Sequence, residues 1–204
     1  MVVGATGPLG RAVVDSALGR GHNVKALVRN PQSATLPDTV QTVQGDVLDP
    51  ASLEPAARGC EAVVCVLGTP SPRTATTLLE TGTANLVTVM KQVPVPRLVC
   101  VTLLGIGDSR SNTALLYRHI ILRVLAPMVP DKEKQERVVR ESGLDWVLVR
   151  PPTIVGVGPW RAARVIRDGE RGRVGLVSRN ALADLLVQSA ESDTYLRQAI
   201  AVGR

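Results

Sequence analysis

The sequence predicts a doubly wound α/β fold, a mostly parallel sheet with helices on both faces. Three observations carry that expectation. Short β-branched runs alternate with longer stretches of helical period. The runs are continuously apolar, as in strands buried on both faces, where a half-exposed strand would alternate apolar and polar residues. The chain has 204 residues, 45% of them hydrophobic and 21% charged, which suits one domain with a full core.

In chain order, residues 2–3 open as a strand and run into a helix on which Leu9, Ala12, Val13 and Ala17 keep helical spacing. Residues 23–28 and 40–43 read as the second and third strands. Asp49-Pro50 supplies an N-cap and a first-turn proline for a helix through Leu53 and Ala57. Residues 62–67 form a fourth strand, Leu78, Leu86, Val89 and Met90 a helix face, and residues 97–102 a fifth strand. Asp131 is expected to cap a helix over residues 132–141, which stops at Ser142-Gly143 before a sixth strand at residues 145–149. Beyond Pro151-Pro152, Arg161, Arg164 and Arg167 would share a helix face. Asp168-Gly169 reads slightly better as a hairpin turn between Val165-Ile166 and Val174-Gly175-Leu176. A helix over 181–189 and a strand over 199–202 close the chain.

Composition narrows the function. Lys+Arg number 24 against 18 Asp+Glu, for a formal net charge of +6. The excess is mainly arginine, which favours an anionic partner. With two Trp, two Tyr and no Phe, the stacking platforms of nucleic-acid binders are missing, so nucleic acid is not the expected partner. Cys60, Cys65 and Cys100 cannot all pair, and two sit in apolar runs, as free thiols do in a reducing compartment. No run is apolar enough to span a membrane and no secretory leader is expected, so a cytoplasmic location follows. His22 and His119 are lone histidines, and no metal is expected. Asp108-Ser109 with His119 lacks the GxSxG elbow of a hydrolase triad.

The richest signal is Gly4-Ala5-Thr6-Gly7-Pro8-Leu9-Gly10, between the first strand and the first helix. Gly4 permits a tight turn, Gly7 lets the backbone approach a pyrophosphate, and Gly10 lets the helix pack on the sheet. The helix start offers unpaired N–H groups and a positive dipole end. This predicts a dinucleotide-binding Rossmann fold as a single domain. The residue closing the second strand selects the cofactor, and here it is Arg29, which suits a 2′-phosphate and so NADP(H). Asp46 and Val47 are expected by the adenine, and Gly68-Thr69 near the adenosine ribose and phosphates.

GATGPLG, ALVRN, GDVLD, VLGT, VTLLGIGDS, DKEKQERVVRESGLDWVLVRPP and VSRNALADLLV together cover nearly the whole chain. In these segments it resembles the atypical short-chain dehydrogenase/reductases of the NAD(P)H-binding, NmrA-like group, and within it the flavin and biliverdin reductases. The resemblance implies cofactor contacts at Gly4, Thr6, Gly7, Pro8, Leu9, Gly10, Arg29, Asp46, Val47, Leu67, Gly68, Thr69, Val101, Thr102, Lys132, Pro152, Thr153 and Ile154. It also implies an acceptor cleft formed by residues 103–130 and 151–175.

Two departures stand out. Ordinary members carry a Tyr-x-x-x-Lys pair whose phenol protonates the product. Here Lys132 holds the lysine place and Met128 the tyrosine place. The Thr/Ser-Ser that usually ends the fifth strand is Thr102-Leu103. Ketone reduction needs that acid, whereas a flavin, quinone or open-chain tetrapyrrole gives a delocalised anion that solvent can protonate. The expected function is therefore hydride delivery from NADPH to a small planar conjugated acceptor, with Thr102 and Lys132 as positioning groups in the catalytic site. The alternative is an NADP(H)-sensing binding protein without turnover. Lys132, Glu133, Lys134 and Glu136 also fit surface i,i+4 pairs. Tyr117 could reach the cleft from a lid or sit in the core or an interface; the apolar segment 113–130 would cover the acceptor, pack against the domain or form a subunit contact; and Trp160 with Arg161 and Arg164 could hold a flat anion or form a surface patch. Both a monomer and a homodimer fit the sequence.

Overall fold

The computed structural model describes residues 1–69, 71, 74–113, 122–156, 163–170 and 172–204. Tyr117, His119, Trp160, Arg161 and most of the apolar segment before Leu122 lie outside them. The elements are β1 (Val2–Val3), α1 (Pro8–Gly19), β2 (Lys25–Val28), β3 (Gln41–Gln44), α2 (Pro50–Ala57), β4 (Ala62–Cys65), α3 (Leu78–Gln92) and β5 (Arg97–Val101). There follow α4 (Leu122–Val124), α5 (Val129–Arg140), β6 (Asp145–Arg150), β7 (Thr153–Val155), β8 (Arg164–Ile166), β9 (Leu176–Ser178), α6 (Arg179–Glu191) and β10 (Gln198–Gly203).

Eight strands form one sheet in the order β3-β2-β1-β4-β5-β6-β10-β8, all neighbours parallel except β10 and β8. Strand alternation sends Val2, Val64, Val99, Val101, Val147 and Ile200 to a core with α1 and α6. It sends Val3, Val63, Cys65, Leu98, Cys100 and Leu148 to a second core with α2, α3 and α5. Burial on both faces explains the unbroken apolar runs. At the outer edge β3 is largely exposed and polar, since only one neighbour covers it. The strand order reverses between β1 and β4, which puts the ligand-binding crevice at the carboxyl ends of the central strands. Cys60, Cys65 and Cys100 are all free thiols. None of the described helices is long and apolar enough to cross a membrane.

Two local expectations are corrected. Val165-Ile166 and Val174-Gly175-Leu176 do not form a hairpin. Asp168-Gly169 does turn, with Gly169 at φ +81° and Glu170 N–H bonded to Arg167 O at 3.0 Å. The strands then part: β8 adds antiparallel to β10, and β9 pairs in parallel with β7 in a separate two-stranded sheet. The longer β10 offers β8 an open sheet edge where Ile166 is buried opposite Ala201, a better ladder than a two-residue pairing with Val174 and Gly175.

The second correction concerns Asp131, which does not cap its own helix. Helix α5 begins two residues earlier, at Val129. The Asp131 carboxylate instead accepts from Leu79 N–H at 3.0 Å and Glu80 N–H at 2.8 Å, the orphan donors at the start of α3. Thr77 at the α3 N-cap position makes no side-chain cap bond, so a buried carboxylate from the neighbouring helix does this work. Asp49 caps α2 as expected, accepting from Ala51 N–H at 3.2 Å.

Replacing Asp131 with Ala should lower unfolding free energy by about 1–2 kcal/mol, the cost of losing a helix cap. Urea denaturation followed by circular dichroism measures it; a midpoint unchanged from wild type would contradict the cross-helix cap.

Candidate cofactor and active site

The glycine turn is built by sterics. Gly4 sits at φ +85°, and a Cβ there would lie 2.7 Å from Val66 O. A Cβ on Gly10 would lie 2.1 Å from Gly4 O and 2.7 Å from Ala5 Cα, so only glycine lets α1 cross β1 this closely. Gly7 differs: its Cβ would come no nearer than 3.4 Å to the chain, an ordinary contact. The fold thus requires glycine at Gly4 and Gly10, whereas Gly7 meets no such steric demand. Gly7 is the N-cap of α1 without a side-chain cap bond, Pro8 carries no N–H, and Thr6 and Pro8 are exposed. The amides of Leu9 and Gly10 lack intrahelical acceptors. The residues here fit a pyrophosphate.

Arg29 follows β2, exposed and ion-paired with none of the described residues. Asp46 is locked locally, its carboxylate accepting from Leu48 N–H at 2.9 Å and its own N–H bonded to Ser52 Oγ at 2.9 Å. Val47 turns inward against α3, where a Cβ on Gly82 would strike it at 2.7 Å, and Asn85 Nδ2 donates to its carbonyl at 2.9 Å. The apolar side chain this loop presents to solvent is Leu48, 52% exposed. Gly68 is exposed and Leu67 half-buried after β4, while Thr69 Oγ1 reaches Met128 Sδ at 3.7 Å across the crevice. Pro152 is buried, and Thr153 and Ile154 stand exposed on β7.

The Thr102 hydroxyl and the Lys132 ammonium lie at the carboxyl ends of β4 and β5, and both are bound inside the protein. Lys132 is 4% exposed. Its ammonium donates to Val101 O at 3.0 Å, Gln135 Oε1 at 3.0 Å and Leu67 O at 3.5 Å. Gln135 in turn donates to Thr83 Oγ1 at 3.0 Å. Burial lowers the Lys132 pKa from the ordinary lysine value, because desolvation favours the neutral amine. The surface i,i+4 pairs do not form among the described residues: Lys132 and Glu136 are buried, and Lys134 instead meets Glu80 of α3 at 3.1 Å.

Thr102 donates its hydroxyl to Glu136 Oε1 at 2.6 Å, and Glu136 accepts a bidentate pair from Arg150 at 2.9 and 2.6 Å. Arg150 reaches on to Asp108 at 2.6 Å and Asp168 at 3.7 Å. Arg140 approaches the same two carboxylates at 3.7 and 3.5 Å and lies over the Trp146 ring at 5.4 Å. Burial opposes the Arg150 charge, but Glu136 and Asp108 outweigh it and hold the guanidinium above its ordinary pKa. Burial and the neighbouring Asp108 raise the Asp168 pKa. At Asp108, burial is outweighed by the Asp168 hydrogen bond and by Arg150, so its carboxyl stays below its ordinary value. This network fastens the loop after β5 and the turn after β8 to β6 and α5. The sequence reading missed it; the available signal was a charged Arg150 ending the apolar strand DWVLVR, with Glu136 one turn beyond Lys132. Ser109 is structural, accepting from Gly105 N–H at 2.9 Å and donating to Ile106 O at 2.7 Å.

Residues 4–193 match the model of a protein family described as NAD(P)H-binding. The chain belongs to that family. A curated relative, the (4-alkanoyl-5-oxo-2,5-dihydrofuran-3-yl)methyl phosphate reductase of Streptomyces griseus, is 28% identical over 156 residues, covering 76% of this chain and 48% of its own length. The chain thus spans about half of that reductase. A short-chain dehydrogenase/reductase of Veillonella parvula, solved in complex with NADP, superposes with a TM-score of 0.84 at 19% identity, covering 100% of this chain and 93% of the other. ChuY, an anaerobillin reductase from Escherichia coli O157:H7, gives 0.82 at 22% identity, covering 99% and 95%. The structural likenesses show a Rossmann-like fold, the family is described as NAD(P)H-binding, and two of the proteins that the chain is similar to are named reductases.

Two outcomes check the site. Gly7→Ala should leave the denaturation midpoint near that of wild type yet weaken nicotinamide dinucleotide binding at least about tenfold, while Gly10→Ala should destabilise the fold outright; equal stability losses in the two variants would contradict the division of labour. Glu136→Leu leaves Arg150 buried beside fewer acceptors and should cost about 3–5 kcal/mol in chemical denaturation. A loss below about 1 kcal/mol would mean that the network is peripheral.

Proposed function

We propose that the chain is an NADPH-dependent reductase of a planar conjugated acceptor: a flavin, a quinone or an open-chain tetrapyrrole. The observation that carries this reading is the commitment of the polar groups where a carbonyl reductase keeps its acid. The Thr102 hydroxyl is bound to Glu136, the Lys132 ammonium rests on backbone carbonyls, and the Met128 thioether, not a phenol, reaches across the crevice. None of the three is placed to protonate an alkoxide, so the acceptor must be one whose reduced form takes its proton from solvent.

Bound NADPH supplies the hydride. This chain's residues would hold and orient it: Gly7 with the Leu9 and Gly10 amides at the pyrophosphate, Arg29 at the 2′-phosphate, the loop of Asp46, Val47 and Leu48 by the adenine, and Gly68 and Thr69 by the adenosine ribose. Pro152, Thr153 and Ile154 border the nicotinamide end. Lys132 acts from behind, fixing the carbonyl ends of β4 and β5 that floor the crevice. The reductase names of the Streptomyces and Escherichia relatives support this class. A second reading, an NADP(H) sensor without turnover, is favoured by the same committed state of Thr102 and Lys132.

Anaerobic mixing of protein, NADPH and FMN should accelerate loss of absorbance at 340 nm; tight NADPH binding with no acceleration by FMN, a quinone or biliverdin leaves the sensor. Arg29→Asp should weaken NADPH at least about tenfold while changing NADH little, as calorimetry would read. Equal loss for both coenzymes would remove the 2′-phosphate assignment.

A further inference from the structure

Beside the glycine turn, on the sheet face that carries α1 and α6, lies a recess of about 440 Å³. Thr6, Pro8 and Arg11 line it from the start of α1, and Arg179 and Asn180 from the start of α6, with Asp15 one turn further along α1. Arg11 donates from Nε to Thr6 O at 3.1 Å, which ties its guanidinium to the turn and leaves the outer N–H groups over. Among the described residues Arg11 makes no ion pair, not even with Asp15, and Arg179 makes neither an ion pair nor a side-chain hydrogen bond. Two arginines therefore line one concavity together with a single carboxylate, Asp15, that is ion-paired with none of the described residues. The two helix starts add positive ends on the same side. Such an arrangement is repulsive by itself and is relieved by an oxyanion whose geometry matches the guanidinium fork.

Chain connectivity places this recess next to both halves of the candidate site. Thr6 and Pro8 belong to the phosphate turn. Arg179 directly follows β9, whose partner β7 carries Thr153 and Ile154 at the nicotinamide end. We propose that the recess is an oxyanion seat in which Arg11 and Arg179 grip a phosphate or carboxylate. Two sources offer that chemistry: the dinucleotide's own pyrophosphate, or an acidic group on the acceptor. The second source rests on the reductase reading and selects, within its acceptor class, molecules bearing a phosphate or carboxylate over neutral ones.

Binding measurements separate the sources without needing turnover. NADP⁺ is titrated calorimetrically into wild type, Arg11→Ala, Arg179→Ala and Arg179→Lys. FMN and riboflavin, alike in the ring and different in the phosphate, are titrated by flavin fluorescence into the NADP⁺ complexes. Loss of a charge-assisted contact should weaken the bound partner about tenfold or more, with partial recovery in Arg179→Lys. Weakened NADP⁺ with an unchanged FMN-to-riboflavin ratio assigns the seat to the cofactor. Unchanged NADP⁺ with FMN falling to the affinity of riboflavin assigns it to the acceptor. If NADP⁺ affinity and the FMN-to-riboflavin ratio both stay within about twofold in every variant, the seat does not exist. Failure of the reductase reading is seen separately, as NADPH that no acceptor oxidises at 340 nm, and leaves the NADP⁺ arm intact.

Discussion

Everything in this molecule is arranged around one close approach, that of α1 to β1. Gly10 lies so near the Gly4 carbonyl that a single added carbon would overlap backbone atoms, and Gly4 adopts a conformation that side chains disfavour. These two constraints aim the helix start at the crevice where the strand order reverses. They are internal demands, satisfied whether or not a ligand is present. The third glycine, Gly7, is free of them.

The second organising element is electrostatic. Arg150 is buried at the end of β6 and draws carboxylates from three places: Glu136 on α5, Asp108 on the loop after β5, and Asp168 on the turn after β8. A charge so deep is tolerated because its bonds are nearly all made within the protein. The result is that two loops distant in sequence are fastened to one strand. The same carboxylate that receives Arg150 also receives the Thr102 hydroxyl, so the crevice floor and its walls share one set of bonds.

The fold class was legible because the inner strands of the sheet are apolar on both faces, and the glycine turn because Gly4 and Gly10 are dictated by backbone sterics. Asp49 capped its helix as its neighbouring proline implied. What stayed illegible were partners distant in sequence. Asp131 looked like a local cap, yet its acceptor oxygens serve a helix 51 and 52 residues away. The hairpin reading failed because a turn signal specifies a reversal of the chain and not which strand edge receives it. Lys132 was legible by resemblance, but that its ammonium is held by carbonyls and not by solvent depends on packing between α5 and the sheet. Arg179 carried no signal at all, since its meaning comes from where α6 begins relative to α1.

The adjacent pair Asp131 and Lys132 works in opposite directions. One side chain clips α5 to the start of α3, and the next clips it to the ends of β4 and β5. Helix α5 is thereby clamped at its first turn, and the clamp acts as a mechanical stop. The start of α3 and the carboxyl ends of β4 and β5 thus meet on one turn of one helix.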